Sequence, residues 1–150
     1  MARHEKIVFV LWGSGCDEWA AVTFVITLRA TGIAVKLVGV SGRQVRGAHG
    51  LAITPDCTLS QAVPLAHQAA CVVIPCPAGN LVRFTQDPRL HEFLRQAQIH
   101  QAHFFLHDQD DINTLLALGI VPVDDQLISV YPQQEELVVF VAALGLAWPR

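Results

Sequence analysis

A chain of 150 residues that is 52% hydrophobic and 15% charged suits one domain with a large buried core, and it is too apolar to be disordered. The formal net charge is −3 with Lys and Arg scattered along the chain, so there is no basic track for a nucleic-acid backbone. The N-terminal MARHEKIVFVLWGSG has only a short apolar segment and Leu137 to Trp148, the most apolar stretch, is too short to span a bilayer, so a cytoplasmic chain without a membrane partner is expected.

Lys6 to Trp12 (KIVFVLW) is a continuous β-rich run that ends at Gly13-Ser14-Gly15, the pattern of a strand covered on both faces and followed by a tight turn. Asp17 and Glu18 then open a helix in which Trp19, Val22, Ile26 and Ala30 recur at helical spacing, with Gly32 placed to stop it. Ile33 to Val40 reads as the next strand, Ser41 to Gly50 as a loop, and Leu51 to Thr54 as a short strand ended by Pro55. Ser60 to His67 suggests a short helix, and CVVIPC (Cys71 to Cys76) a buried strand broken by Pro77, Ala78 and Gly79.

Pro88 opens a helix carrying Leu90, Phe93, Leu94 and Ala97 on one side. Ala102 to Leu106 is the next strand, after which Asp108 caps a helix striped by Ile112, Leu115 and Leu116 and closed at Gly119. Val121 to Val123 and Leu127 to Tyr131 flank Asp124-Asp125-Gln126 as a hairpin-like pair, and Pro132 with Glu135 and Glu136 introduces a last helix, ELVVFVAALGL. That helix is apolar nearly all round, which predicts deep packing or a subunit contact. The alternation gives an α/β fold, a mostly parallel sheet with helices on both faces and a small C-terminal hairpin. Ligands in such sheets bind outside the carboxyl ends of the strands, which directs attention to the loops after Trp12, Cys76 and Leu106.

The four cysteines, Cys16, Cys57, Cys71 and Cys76, show neither a CxxC pair nor metal-ligand spacing, so they read as buried apolar thiols without a disulfide framework. His100, His103 and His107 form H-x-x-H-x-x-x-H. On a strand His103 and His107 would lie about 13 Å apart, too far to share a zinc ion. Trp12 and Trp19 flank the first loop, as ligand-stacking rings or as filler of the strand–helix interface.

Five segments in order, KIVFVLWGSGCDEWAAV, GLAITPDCTLSQA, CVVIPCPAGNL, DPRLHEFLRQ and VDDQLISVYPQQEELVVFVAALGL, together resemble the ThiJ/PfpI superfamily with its class I glutamine amidotransferase-like, flavodoxin-like fold. The G-x-x-x-x-P-D segment at Gly50 to Asp56 and the strand-Pro-Gly loop at Ile74 to Gly79 are the most specific parts. The resemblance implies a flavodoxin-like three-layer sandwich. For catalytic members it implies a Cys on the sharp strand-to-helix turn, a Glu after the first strand and backbone N–H donors from a Pro-Gly-Gly loop.

Carried over by position, the nucleophile falls at Gln109 among His107, Asp108, Asp110 and Asp111, with no cysteine in that turn. The Glu position falls at Ala20, and the loop has become Pro75-Cys76-Pro77-Ala78-Gly79, in which Pro77 removes a donor. The resemblance so amended implies a binding, regulatory or chaperone-like domain, a pseudoenzyme without cofactor or resident metal that forms a homodimer and takes at most a small-molecule ligand. Gly15, Glu18, Cys76, Gly79, His107, Asp108 and Gln109 are its candidate ligand-binding residues. The rival is a divergent cysteine-dependent hydrolase or lyase acting on a small carbonyl or amide, with Cys76 or Cys16 as nucleophile and His107 or Glu18 as acid/base. The acids after Leu106 read first as helix caps, and more sharply as donors, with His107 and Glu18, to a cation or cationic ligand.

Overall fold

The computed structural model describes residues 5–41 and 45–148. The first four residues of the N-terminal segment and positions 42–44 of the Ser41 to Gly50 loop lie outside the described residues. In chain order the elements are β1 (Ile7–Trp12), α1 (Glu18–Ala30), β2 (Ala34–Gly39), β3 (Val45–Arg46), β4 (Ala52–Ile53), β5 (Cys57–Thr58), α2 (Leu59–Ala62), β6 (Ala69–Ile74), α3 (Ala78–Leu81), α4 (Pro88–Ile99), β7 (His103–Leu106), α5 (Gln109–Ala117), β8 (Ile128–Val130) and α6 (Glu135–Leu146). Six strands form one sheet in the order β5-β2-β1-β6-β7-β8, and every pairing in it is parallel.

β1 lies at the centre, buried along all of its length, as its uninterrupted apolar run requires when helices cover both faces. Successive residues point to opposite faces. Phe9 meets Phe93 of α4 edge to face at 5.0 Å. On the other face Phe105 packs against Phe24 of α1 and Phe140 of α6. The stripe expected on α4 is the buried one, Leu90, Phe93, Leu94 and Ala97, and Pro88 stands at its first turn behind the cap Asp87.

Three expectations are corrected. Trp19, Val22 and Ile26 face outward, at 54%, 37% and 62% exposure, whereas α1 presents Ala20, Ala21, Phe24 and Leu28 to the core. α1 is apolar on more than one face, so spacing alone does not pick the buried one. Among the described residues no C-terminal hairpin forms. β8 joins the sheet parallel to β7, and the Tyr131 N–H continues that pairing by donating to the Leu106 carbonyl at 3.0 Å. The antiparallel pair is instead β3 with β4, a small arm that folds over the start of α1.

The third correction concerns the cysteines. Cys16 and Cys76 are joined by a disulfide, while Cys57 and Cys71 are free. Sixty residues separate the bonded pair in sequence, and only the sheet order brings them together. β1 and β6 are adjacent strands, and Cys16 and Cys76 sit in the loops leaving their carboxyl ends.

Candidate functional site

From β1 the chain turns to β2 on one side, and it returns from β5 to β6 on the other. The carboxyl ends of β1 and β6 therefore flank the switch point where open α/β sheets hold ligands. Here that crevice is tightly bridged. The Asp17 N–H donates to the Pro75 carbonyl at 2.8 Å, Asn80 Nδ2 donates to the Ser14 carbonyl at 3.3 Å, and the disulfide crosses between the two loops. Gly15 adopts a positive φ of 81°, and a Cβ there would overlap the Asn80 side chain.

Glu18 is buried, yet its carboxylate does not face the turn after β7. It reaches into the β3–β4 arm, accepting from the His49 N–H at 2.8 Å and the Leu51 N–H at 3.0 Å. His49 Nδ1 lies 3.1 Å away on its other oxygen. Burial alone would raise its pKa, but the Leu51 N–H, its own N–H, the His49 ring and the His49 N–H together hold it below the ordinary Glu value. Asp17, Glu18 and His49 place potential ligand atoms within 4.8 Å of one another. Asp17 Oδ1, however, already caps α1 through the Trp19 N–H at 3.0 Å, and the Glu18 oxygens are filled by the arm. The donor set thus holds the fold together. Ala20, the position that the resemblance assigns to a Glu, is fully buried and apolar.

At the end of β7, Asp108 is the N-cap of α5 and accepts from the Asp111 N–H at 2.9 Å. Gln109 is the first residue of that helix, and Asp110 lies in its first turn. A nucleophile elbow is a strained turn. Among the described residues the non-glycine positive φ values belong to Gln101 and Gln134, so the passage from Leu106 into α5 is a relaxed helix cap. His107, Asp108 and Gln109 line an open cavity of about 780 Å³ with Val130, Tyr131, Pro132 and Gln133. His107 Nδ1 is 2.9 Å from the Tyr131 hydroxyl, and Gln133 Nε2 donates to the His107 carbonyl at 2.8 Å. Burial, with the charges of Asp17, Asp111 and Asp108, pushes the Tyr131 phenol far up, so it remains neutral.

The link between the two loops is Asp111. It is 6% exposed, its Oδ1 accepts from the Ala78 N–H at 2.7 Å, and its Oδ2 is buried with no hydrogen-bond partner among the described residues. Burial raises its pKa above the ordinary Asp value. The Ala78 N–H opposes that shift, Asp108 adds to it, and His107 and the Asp108 bond oppose it. The N–H at the start of α3 thus serves a carboxylate of the same chain.

The candidate residues therefore separate into two groups. Gly15, Cys16, Cys76 and Gly79 belong to the bridged crevice and its loops, with Glu18 turned into the arm. His107, Asp108 and Gln109 border the open cavity. His100, by contrast, caps the far end of α4, and His103 bonds Ser129 Oγ at 2.8 Å within the sheet. Sequence reasoning missed His49 and Tyr131 as partners. Tyr131 reaches His107 only because β8 pairs with β7, and nothing in local spacing points to His49.

The arrangement defines a flavodoxin-like α/β protein whose candidate residues lie along the carboxyl edge of its sheet. Residues 5–104 match the model of the DJ-1/PfpI family, and the chain belongs to that family. Solved structures share the fold. A cysteine-to-alanine variant of a DJ-1 superfamily protein from Salmonella typhimurium is 22% identical, with a TM-score of 0.72 over 93% of this chain and 88% of that one. Oxidized Toxoplasma gondii DJ-1 is 17% identical, with a TM-score of 0.74 over 93% and 88%. Drosophila melanogaster DJ-1beta is 18% identical, with a TM-score of 0.71 over 95% and 89%. No curated protein matches the sequence. No helix among the described residues is long and apolar enough to cross a membrane.

Proposed function

We propose that this protein is a non-catalytic DJ-1/PfpI domain with a binding, regulatory or chaperone-like role. One observation carries the reading: the Ala78 N–H, in the loop whose counterpart donates to the reacting oxygen in catalytic relatives, is occupied by the Asp111 carboxylate at 2.7 Å. A substrate oxygen would have to displace a carboxyl oxygen already seated in a buried hydrogen bond. Gln109 supports the same reading, since it offers an amide at the first turn of α5, and an amide is not a nucleophile. Where a ligand binds, the cavity bordered by His107, Asp108 and Gln109 is the place for it, with polar groups on one side and Val130 and Pro132 on the other.

The reading takes the chain as one cytoplasmic domain acting as a homodimer through the apolar residues on α1 and α6. Trp19, Ile26, Val138 and Val139 are all exposed, and helices α1 and α6 pack together. The rival, a cysteine-dependent hydrolase or lyase, needs a free thiol at the crevice, and Cys16 and Cys76 are joined to each other. Turnover of methylglyoxal and of a fluorogenic peptide, measured with and without dithiothreitol, tests the proposal. No rate above buffer is expected in either state. A rate that appears and is then abolished by Cys76→Ala or Cys16→Ala overturns it.

A further inference from the structure

We propose that Cys16 and Cys76 form a reversible dithiol/disulfide site, exchanging with a small dithiol or a dithiol protein, and that its oxidation locks the crevice between β1 and β6. The pair stands where the fold would otherwise open for a ligand. The loop after β1 and the loop after β6 flank the switch point, and the disulfide ties one to the other.

Three features distinguish it from a structural staple. First, the fold does not depend on it for adjacency. β1 and β6 already pair over Val8, Phe9 and Val10, and Asp17 N–H to Pro75 carbonyl and Asn80 Nδ2 to Ser14 carbonyl bonds join the same two loops. Second, one sulfur already has a hydrogen-bond donor. The Gly13 N–H donates to Cys16 Sγ at 3.2 Å, so the departing sulfur keeps a partner although it is buried beside Asp17 and Glu18. Third, the other sulfur lies just beneath the surface. Cys76 is 2% exposed, but its neighbours Pro77 and Gly79 are exposed, so a local opening of that short loop is enough to uncover it.

The chemistry balances as two-electron exchange. A thiolate of the external dithiol attacks Cys76 Sγ, the Cys76–Cys16 bond breaks, and Cys16 departs as a thiolate held by the Gly13 N–H. The second thiol of the reductant, deprotonated, attacks its own sulfur of the mixed disulfide and releases Cys76. The reductant leaves as a disulfide, and its two protons end on Cys16 and Cys76. Reduction leaves the sheet intact while the loop of residues 75–81 loses its covalent tie to residues 13–17.

The test equilibrates native full-length protein with dithiothreitol/oxidised dithiothreitol buffers, traps thiols by alkylation and maps them by peptide mass. Hydrogen exchange is followed in parallel. The expected result is a reversible two-electron titration confined to Cys16 and Cys76 while circular dichroism is unchanged. Exchange at residues 78–81 should accelerate roughly tenfold or more, with the central strands unaffected. The double variant Cys16→Ser/Cys76→Ser should reproduce the reduced exchange pattern. Reduction that occurs only in denaturant, or that removes protection throughout β1, β6 and β7, makes the bond a structural staple and overturns the proposal. So does alkylation of both residues before any reductant is added. This outcome is independent of the non-catalytic reading, which only turnover can defeat.

Discussion

Replacing Glu18 tests how the β3–β4 arm is held. Its carboxylate accepts two backbone N–H bonds, from His49 at 2.8 Å and Leu51 at 3.0 Å, and meets the His49 ring at 3.1 Å. A hydrogen bond to a charged group contributes about 1.5–3 kcal/mol, so the two backbone bonds alone would suggest a loss near the top of about 3–6 kcal/mol. The arm is exposed from Ala48 to Ala52, however, and water can replace the carboxylate there, which brings the expected loss for Glu18→Ala to about 2–3 kcal/mol. For a chain of this length that lowers Tm by about 4–12 °C.

The same replacement should raise hydrogen exchange across residues 45–53 before any other segment. Glu18→Gln keeps the shape but turns an amide NH₂ toward an N–H, so it should fall between wild type and Glu18→Ala. A Cβ on Gly47 would overlap the Glu18 carboxyl, so Gly47→Ala should damage the arm in wild type and do less harm in the Glu18→Ala background, a coupling that a double-mutant cycle reads directly. Because the folded pKa of Glu18 is depressed, its contribution is present above the unfolded value of about 4.3 and is lost as pH falls through the folded one. Urea titrations at several pH values measure all of this. A Glu18→Ala loss below about 0.5 kcal/mol, with unchanged exchange in the arm, would refute the clamp.

Asp111 should behave with the opposite sign. Its pKa is raised in the fold, so its favourable contribution is complete below the unfolded value of about 3.9 and is lost as pH rises through the folded value; Asp111→Asn should therefore flatten that limb of the stability profile. Asp111→Ala leaves the Ala78 N–H without its acceptor and should cost about 1–3 kcal/mol in urea unfolding. On the proposed dimer reading, Ile26→Asp with Val139→Asp, at positions 62% and 70% exposed, should convert a wild-type dimer into a folded monomer by light scattering, and a wild type that is itself monomeric defeats that reading. Phe93→Ala removes a fully buried ring seated 5.0 Å from Phe9 and should cost about 3–5 kcal/mol, read as a shifted denaturation midpoint.

The reach of the sequence follows the range of the interactions. β1, β6 and β7 were legible because a strand buried on both faces must be apolar throughout, and α4 was legible because Leu90, Phe93, Leu94 and Ala97 leave one polar face. α1 was legible as a helix but not in orientation, since Trp19, Val22 and Ile26 make as regular a stripe as Ala20, Phe24 and Leu28. The partner of β8 was not legible because a short apolar run does not say whether it pairs with the segment before it or with β7.

The site was hardest to read for the same reason. Asp108 as a cap is a contact over three residues, and the sequence carried it. Asp111 to Ala78 spans 33 residues, Glu18 to Leu51 also spans 33, and Cys16 to Cys76 spans 60. The disulfide exists only once the sheet has placed β1 beside β6, the Asp111 bond only once β6 lies beside β7, and the Glu18 bond only once the chain beyond β2 has returned over α1 as the β3–β4 arm. The strand order thus turns three separately unremarkable residues, Glu18, Cys76 and Asp111, into a set of ties between neighbouring loops. If those ties are what define this protein, loosening one should alter exchange in the loops it joins while leaving β1 at its wild-type protection.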